Sequence, residues 1–359
     1  MIGPRTVVVV GAGLAGARCA ETLRAEGFDG EVILVGDEPV PPYERPALSK
    51  ELLAGTRAVE SLWLRPPEFW ADHRIELVLG HRVVRVDPTE RLAVTDRGRE
   101  FRWDALVAAT GARPRTLPFE APAGVHVLRT LADALALREE LGRARRLAVV
   151  GGGFVGAEVA STARALGLEV AMLEAAETPF AKVLRPELGS LLARRYRAHG
   201  VQLRTNVLAR GFRTGRCGRI CGVELDDGSV VRCDVALVAV GVEPVRETSV
   251  AVPGVELAGD AAGGPGHWTS AAADGVGAAR RLLGFPPVAP TPGFFWSDQF
   301  GLRIQLVGDT RAAEAVEIDG DESELVARYR ARDRRLVAAL AVNRPAEVGA
   351  LRHELALAA

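Results

Sequence analysis

The chain has 359 residues, 48% of them hydrophobic, enough to bury two or three cores, so more than one domain is the default. A formal net charge of -1 supplies no global basic field, which argues against a dedicated nucleic-acid binder. No basic-then-apolar leader precedes the first apolar run and no run is long enough to span a bilayer, so a soluble cytoplasmic protein is expected.

Thr6 to Val10 carries four consecutive valines, the β-branched pattern of a strand buried on both faces. It breaks into Gly11-Ala12-Gly13-Leu14-Ala15-Gly16, and from Ala15 to Glu26 small and apolar residues recur at helical spacing. The glycines therefore stand where a strand turns into a helix N-terminus, which is an anion cradle. Gly11 permits the tight turn, Gly13 lets backbone N–H groups approach a pyrophosphate, and Gly16 lets the helix lie close on the strand. A second strand, Glu31 to Gly36, ends at Asp37, about 20 residues downstream, where an acid accepts the ribose hydroxyls of an adenosine.

The proline-rich run Val40 to Lys50 is irregular, with a short helix expected from near Ser49, and carries two cations, Arg45 and Lys50. Arg82–Asp87, Leu92–Thr95 and Phe101–Trp103 read as an antiparallel meander. Ala105 to Gly111 is a second buried strand ending in Ala109-Thr110-Gly111, followed by Arg113-Pro114, where the chain can leave one domain for another.

The first unit then recurs. Arg146 to Val150 is a strand, Gly151 to Gly156 the glycine turn, Ala157 to Leu166 a helix, and Glu169 to Leu173 a strand ending at Glu174. Two dinucleotide cradles in one chain imply electron transfer between two cofactors. Glu174 accepts from the ribose hydroxyls of NADH and repels the extra phosphate of NADPH, and Ala175 and Ala176 offer no offsetting cation. NADH is the expected nucleotide.

Asp234 to Gly241 mirrors the strand that ends at Gly111, and the chain returns through Pro253 to Gly259-Asp260. A helix from Ala271 to Leu283, a proline-rich linker from Phe285 to Pro292, an alternating strand from Leu302 to Gly308 and a helix from Ala346 to Leu357 complete the series. Cys19, Cys217, Cys221 and Cys233 are too scattered for a disulfide scaffold and form no Cys-x-x-Cys, so they read as small buried or half-buried residues.

Gly11 to Gly16, Arg45 to Lys50, Ala109 to Pro114, Gly151 to Glu158, Leu257 to Asp260 and Trp296 to Gln305 together resemble the FAD-dependent ferredoxin reductases that serve cytochrome P450s and ring-hydroxylating dioxygenases. The resemblance covers nearly the whole chain, and the lack of a Cys-x4-Cys pair near residues 40 to 50 separates it from glutathione-reductase relatives. It implies an α/β fold with two Rossmann-like dinucleotide-binding domains, glutathione-reductase-like, plus a small α+β C-terminal domain. The expected division is residues 1–116 with 246–289 for FAD, 117–245 for NAD, and 290–359 for the C-terminal reductase domain.

By the same resemblance Ala15 meets the pyrophosphate, Asp37 the ribose, Val83 the adenine, Arg129 and Asp260 the isoalloxazine and ribityl arm, and Trp268 opens the helix that meets the flavin. The cofactor-binding set also takes in Gly11, Gly13, Leu14, Gly16, Arg45, Ala109, Thr110 and Gly111, and for the nucleotide Gly151, Gly153, Phe154, Val155, Gly156, Glu174 and Gly241. Lys50 approaches flavin N5 and pairs with Glu158, and these two are the catalytic candidates. A buried lysine and glutamate are each costly alone and tolerable together. Trp296 either walls the flavin or fills the core of the third domain. No metal site is expected.

The implied acceptor is a [2Fe-2S] ferredoxin, with Arg45, Arg65, Arg303 and Arg311 as candidate local cations for an acidic partner, on a monomer or weak homodimer. Two stretches, Val242 to Pro253 and Asp260 to Trp268, are shorter than the family pattern. They leave open an FAD-dependent enzyme that acts directly on a small organic molecule. A scaffold that only binds is disfavoured by the joint presence of Lys50, Glu158 and Glu174.

Overall fold

The computed structural model describes residues 4–245, 253–263, 266–286 and 292–358. Seven α-helices occur among them: α1 (Leu14–Ala25), α2 (Glu68–Asp72), α3 (Leu131–Leu141), α4 (Phe154–Ala165), α5 (Ala181–Ala198), α6 (Trp268–Leu282) and α7 (Pro345–Ala358). Their contacts divide the chain into two compact units, one made of residues 1–45, 59–113 and 243–290, the other of 46–58, 114–242 and 291–359.

In the first unit Thr6–Val10 lies at the centre of a five-stranded parallel sheet, between Glu31–Gly36 and Ala105–Ala108, with Ile75–Leu79 and Val255–Leu257 at the edges. Val8 stands opposite Ile33 on one side and Leu106 on the other. Because side chains alternate along a strand, Val7 and Val9 pack under α1 and α6, whereas Val8 and Val10 face the antiparallel strands Val83–Asp87, Leu92–Thr95 and Glu100–Arg102. All four valines are buried, which is why the run needs no polar position.

The second unit repeats this plan. Arg146–Val150 lies between Glu169–Leu173 and Val235–Val238 in a five-stranded parallel sheet completed by Val201–Arg204 and Val125–His126. Leu147 and Val149 pack towards α4; Ala148 and Val150 face a three-stranded antiparallel sheet of Ala209–Thr214, Ile220–Leu225 and Val230–Arg232. The repetition reaches single hydrogen bonds. Asp104 takes the amides of Arg5 and Thr6, at 2.8 and 3.0 Å, and Asp234 takes those of Arg145 and Arg146, both at 3.0 Å. Each acid precedes one neighbouring strand and ties it to the start of the central one.

The last stretch of the second unit is an antiparallel sheet in the order Phe294–Gln299, Leu302–Gly308, Leu336–Val342, Leu325–Arg330, Ala315–Gly320. One face packs on α7 through Val348, Leu351 and Leu355. The other continues the core that contains α4 and α5, through Ile304, Leu325, Leu340 and Val342. Its first hairpin turns on Phe300 (φ 50°) and Gly301 (φ 73°), the two positive dihedrals a tight two-residue turn requires. Arg185, directly before Pro186, leaves helical geometry at φ 66° and interrupts α5 there, since a residue preceding proline avoids the α region.

Most expected elements are found, and Glu31–Gly36, Arg146–Val150, Glu169–Leu173 and Leu302–Gly308 match to the residue. The helix expected from Ser49 is not formed. Arg45–Ala47 is a single 3-10 turn, and beyond it Lys50 N–H bonds Ala47 O, Leu52 N–H bonds the same carbonyl, and Ala54 N–H bonds Lys50 O. This mixture of spacings is a series of turns, which Pro46 and Gly55 suit better than a continuous helix. The linker reading of Phe285 to Pro292 falls mostly on residues 287–291, outside the described residues, and so do 246–252 and 264–265 in the two shortened stretches. Among the described residues no helix is long and apolar enough to cross a membrane, and no group of His, Cys, Asp and Glu could hold a metal ion.

Candidate active site

The two glycine turns have nearly the same geometry. Gly11 and Gly151 sit at φ 112° and 107°, each with its missing side chain aimed at a backbone carbonyl, Ala109 O at 2.2 Å and Ala239 O at 2.4 Å from where a Cβ would be. A Cβ at Gly16 would lie 1.9 Å from Gly11 O, and one at Gly156 would lie 2.2 Å from Gly151 O, so α1 and α4 rest directly on the turns that precede them. Gly13 and Gly153 differ from these in having open space around the missing Cβ.

Both of these last glycines are helix N-caps with extended backbones, φ −80° and −81°, and neither helix receives a side-chain cap. Helix α3 shows the contrast: Thr130 and Asp133 close a reciprocal capping box on it. Helix N-terminal amides without a capping side chain, under open space and at the positive end of a dipole, suit a pyrophosphate, so the residues present fit two dinucleotides.

Around the first cradle, Asp37 stands exposed just past Glu31–Gly36. Its neighbour Glu38 is engaged, accepting from Tyr43 Oη at 2.7 Å and from Arg45 Nη2 at 2.7 Å, which leaves Asp37 the acid facing solvent. Thr110 follows Ala109 at the end of Ala105–Ala108 and donates its hydroxyl to Val245 O at 2.9 Å. Gly259 and Asp260 form a 3-10 turn against α1, where a Cβ on Gly259 would come 3.0 Å from Ala15 Cβ. Trp268 opens α6, which packs on α1 so closely that a Cβ on Gly275 would lie 2.1 Å from Ala15 O. The sheet thus brings Leu14, Ala15, Gly16, Ala109 and Asp260 to one end of the central strand. Val83 is buried in the core on the opposite face.

Around the second cradle, Glu174 accepts the amides of Gly152 at 2.7 Å and Ala176 at 2.8 Å, one on each oxygen. The acid is held beside the glycine turn, with a second lone pair on each oxygen for a ribose hydroxyl. Phe154 opens α4 between Phe180 and Phe295, with ring centroids 4.6 and 4.2 Å away, and Val155 beside it is 40% exposed. Gly241 takes φ 107° beyond Val235–Val238. Arg129 belongs to this unit, its amide donating to Asp133 at 3.0 Å. Trp296 is half-buried and stacks on Phe294 at 6.0 Å.

Lys50 and Glu158 are paired. Lys50 Nζ lies 2.7 Å from Glu158 Oε2, with the side chains 12% and 7% exposed. Ser49 donates its hydroxyl to the same carboxylate oxygen, and Thr162, one turn further along α4, donates to Ser49 O at 2.8 Å. The segment 46–58 is therefore fastened to the helix of the second cradle, which explains why it clusters with that unit. Ser49, Ser297, Gln299 and Tyr196 around Glu158 were not singled out in the sequence. For Ser297 and Gln299 the signal is the alternation Trp296-Ser297-Asp298-Gln299, which places the two on one face; Ser49 and Tyr196 carry none.

The four cysteines are free, and burial pushes the thiols of Cys19 and Cys233 up to about 12, so neither supplies a thiolate near neutral pH. A pyridine nucleotide-disulphide oxidoreductase family model matches residues 5–260, and a reductase C-terminal model matches residues 294–359. The chain belongs to the pyridine nucleotide-disulphide oxidoreductase family. Within that family, the ferredoxin–NAD(+) reductase component of the p-cumate 2,3-dioxygenase system of Pseudomonas putida is 36% identical over 344 residues, covering 88% of this chain and 84% of that protein. Rhodocoxin reductase of Rhodococcus erythropolis is 33% identical, covering 98% and 89%. The reductase in a covalent putidaredoxin reductase–putidaredoxin crystal structure is 30% identical and superposes with a TM-score of 0.93 over 99% of this chain and 93% of that one. The chain is thus an oxidoreductase of this family, with its α/β fold.

Proposed function

We propose that the protein is an NADH-dependent, FAD-carrying ferredoxin reductase that passes electrons to a [2Fe-2S] ferredoxin serving a cytochrome P450 or a ring-hydroxylating oxygenase. The observation that carries this reading is the pair of matching cradles with glycine N-caps that lack a side-chain cap, joined in one chain to a reductase C-terminal module. When bound, FAD supplies the step from two-electron hydride acceptance to single-electron release. The protein's part is to bind and orient, and orientation supplies most of the catalysis, since no covalent chemistry is asked of it.

In this reading the first cradle, Asp37, Ala109 to Gly111, Asp260 and Trp268 hold FAD, and the second cradle with Glu174 holds NADH. Glu174, already fixed by two amides, sets the preference for NADH by repelling a 2′-phosphate. Lys50 presents a fixed ammonium, and Glu158 holds it in place. The domain division of 1–116 with 246–289, 117–245 and 290–359, and a cytoplasmic location, belong to the same proposal. Of the four arginines suggested for docking, Arg45, Arg65 and Arg311 already pair with Glu38, Glu21 and Asp309, whereas Arg303 is exposed and has no ion pair among the described residues. Arg303 is therefore the one we assign to the acidic partner.

The test is the absorption spectrum of the purified protein, with NADH-driven cytochrome c reduction measured with and without added [2Fe-2S] ferredoxin. Flavin bands that bleach with NADH, and reduction that depends on ferredoxin, are expected. A colourless protein that refuses added FAD refutes the cofactor assignment. Activity independent of ferredoxin refutes the acceptor.

A further inference from the structure

The hydrogen bonds at Glu158 continue beyond its ion pair. Ser297 Oγ donates to Glu158 Oε1 at 2.6 Å, Gln299 Nε2 donates to Ser297 Oγ at 3.0 Å, and the Tyr196 hydroxyl donates to Gln299 Oε1. Ser297, Gln299 and Tyr196 are 0%, 3% and 0% exposed. The direction of each bond follows from the far end. An ionised carboxylate only accepts, so the Ser297 proton points at Glu158. The Ser297 oxygen then offers lone pairs alone to its other neighbour, which turns the amide NH2 of Gln299 inward and its carbonyl outward, and that carbonyl requires a donor. Burial, and the charge of Glu158, push the Tyr196 phenol well above its ordinary value, so it retains the proton it donates.

The backbone holds this chain in register. Ser297 and Gln299 lie two apart on Phe294–Gln299 and share its inward face, with exposed Asp298 on the other. The adjoining turn is pinned at both groups: Phe300 N–H donates to Ser161 Oγ on α4 at 2.7 Å, and Arg195 on α5 donates to Phe300 O through Nε at 3.1 Å and Nη2 at 3.0 Å. Ser161 lies three residues beyond Glu158 on the same helix, so the hairpin is fixed to α4 within a turn of the carboxylate. Apolar side chains would fill this space without three buried polar groups to satisfy, so packing alone does not account for the choice.

We propose that Tyr196, Gln299 and Ser297 form a one-way positioning relay that fixes the Glu158 carboxylate in a single rotamer and, through it, the ammonium of Lys50. The relay rests on the reading of Lys50 as the residue that serves hydride transfer. It makes the C-terminal sheet a structural support of the ion pair, in addition to any part in docking. Removing the last donor, at Ser297, loosens Glu158 directly. Removing donors further out acts progressively less.

The composition supplies a clean probe, because Lys50 and Lys182 are the only lysines in a chain whose lysines and arginines total 45. Selective ¹³C and ¹⁵N lysine labelling of the full-length flavoprotein gives two side-chain signals, assigned with Lys182→Arg. We expect the Lys50 signal to move towards that of a free lysine in Ser297→Ala, less in Gln299→Leu and least in Tyr196→Phe. The serine and tyrosine changes each remove one oxygen atom, so a merely structural role does not reproduce that order. NADH should reduce the flavin roughly tenfold more slowly in Ser297→Ala, as expected for losing one hydrogen bond to a charged group. A Lys50 signal that coincides with the parent's in both Ser297→Ala and Gln299→Leu, with circular dichroism unchanged, overturns the relay. A shifted Lys50 signal with a parental rate of flavin reduction upholds the relay and refutes instead the role given to Lys50.

Discussion

Replacing Gly153 with alanine separates folding from ligand binding, because the two depend on different atoms of the second cradle. A Cβ at Gly153 meets nothing within 4 Å, and φ −81° is ordinary for any L residue. As an N-cap change it costs about 1 kcal/mol or less, a shift in Tm of roughly 2 °C. The same methyl at Gly156 lands 2.2 Å from Gly151 O and 3.1 Å from Val149 Cγ1, and neither a backbone carbonyl nor a buried strand residue can swing away. Overpacking of that kind costs about 3 kcal/mol. Scanning calorimetry should therefore show Gly153→Ala melting near the parent and Gly156→Ala several degrees lower. On the proposed reading NADH affinity should behave the other way, since the Gly153 methyl would occupy the space over the amides assigned to the phosphates. A loss of roughly tenfold to a hundredfold, about 1.4–2.7 kcal/mol, is expected by fluorescence titration, with flavin content unchanged. Gly153→Ala binding NADH as the parent does, or melting as low as Gly156→Ala, would refute the reasoning.

Three further outcomes can be measured. Lys50→Met strands a buried carboxylate and should destabilise by about 3 kcal/mol, while Lys50→Met with Glu158→Leu recovers part of that loss in a double-mutant cycle by urea unfolding; stopped-flow should also show slower flavin reduction in Lys50→Met. The hydrogen bond from Arg146, with the amides of Arg145 and Arg146, holds the Asp234 carboxyl below its usual range, so its contribution is present above the ordinary carboxylate pKa and lost as pH falls through the depressed one. Asp234→Asn should accordingly destabilise at pH 7 and converge with the parent in acid, read from Tm against pH. Glu174→Ala should raise Kd for NADH and narrow the ratio between NADPH and NADH, measured as kcat/KM for each.

The parallel cores were legible because a doubly buried strand is written as an uninterrupted apolar run, as in Val7 to Val10 and Leu147 to Val150, and because each run ends in glycines that steric contact with Ala109 and Ala239 demands. Periodicity showed less where tertiary contacts decide. The turns at 46–58 are shaped by their attachment to α4 through Thr162 and Glu158, more than 100 residues away, and no local pattern announces it. Ser297 and Gln299 read as ordinary polar residues of an edge strand until Phe294–Gln299 is seen to face α4. Tyr196 reads as one aromatic on a helix whose other buried apolar side chains are Leu184, Leu188, Leu192 and Ala193.

The first unit draws its parallel sheet from both ends of its sequence, since Val255–Leu257 pairs with Ala105–Ala108 and α6 packs on α1. On the ribosome, the open flank of Ala105–Ala108 must wait for some 150 residues of synthesis before its neighbour emerges, and all of Pro114 to Val242 is made in the interval. The inserted unit can begin to collapse first, so a nascent chain stalled before residue 255 would display an unpaired strand edge and a bare face of α1, the surfaces a chaperone binds.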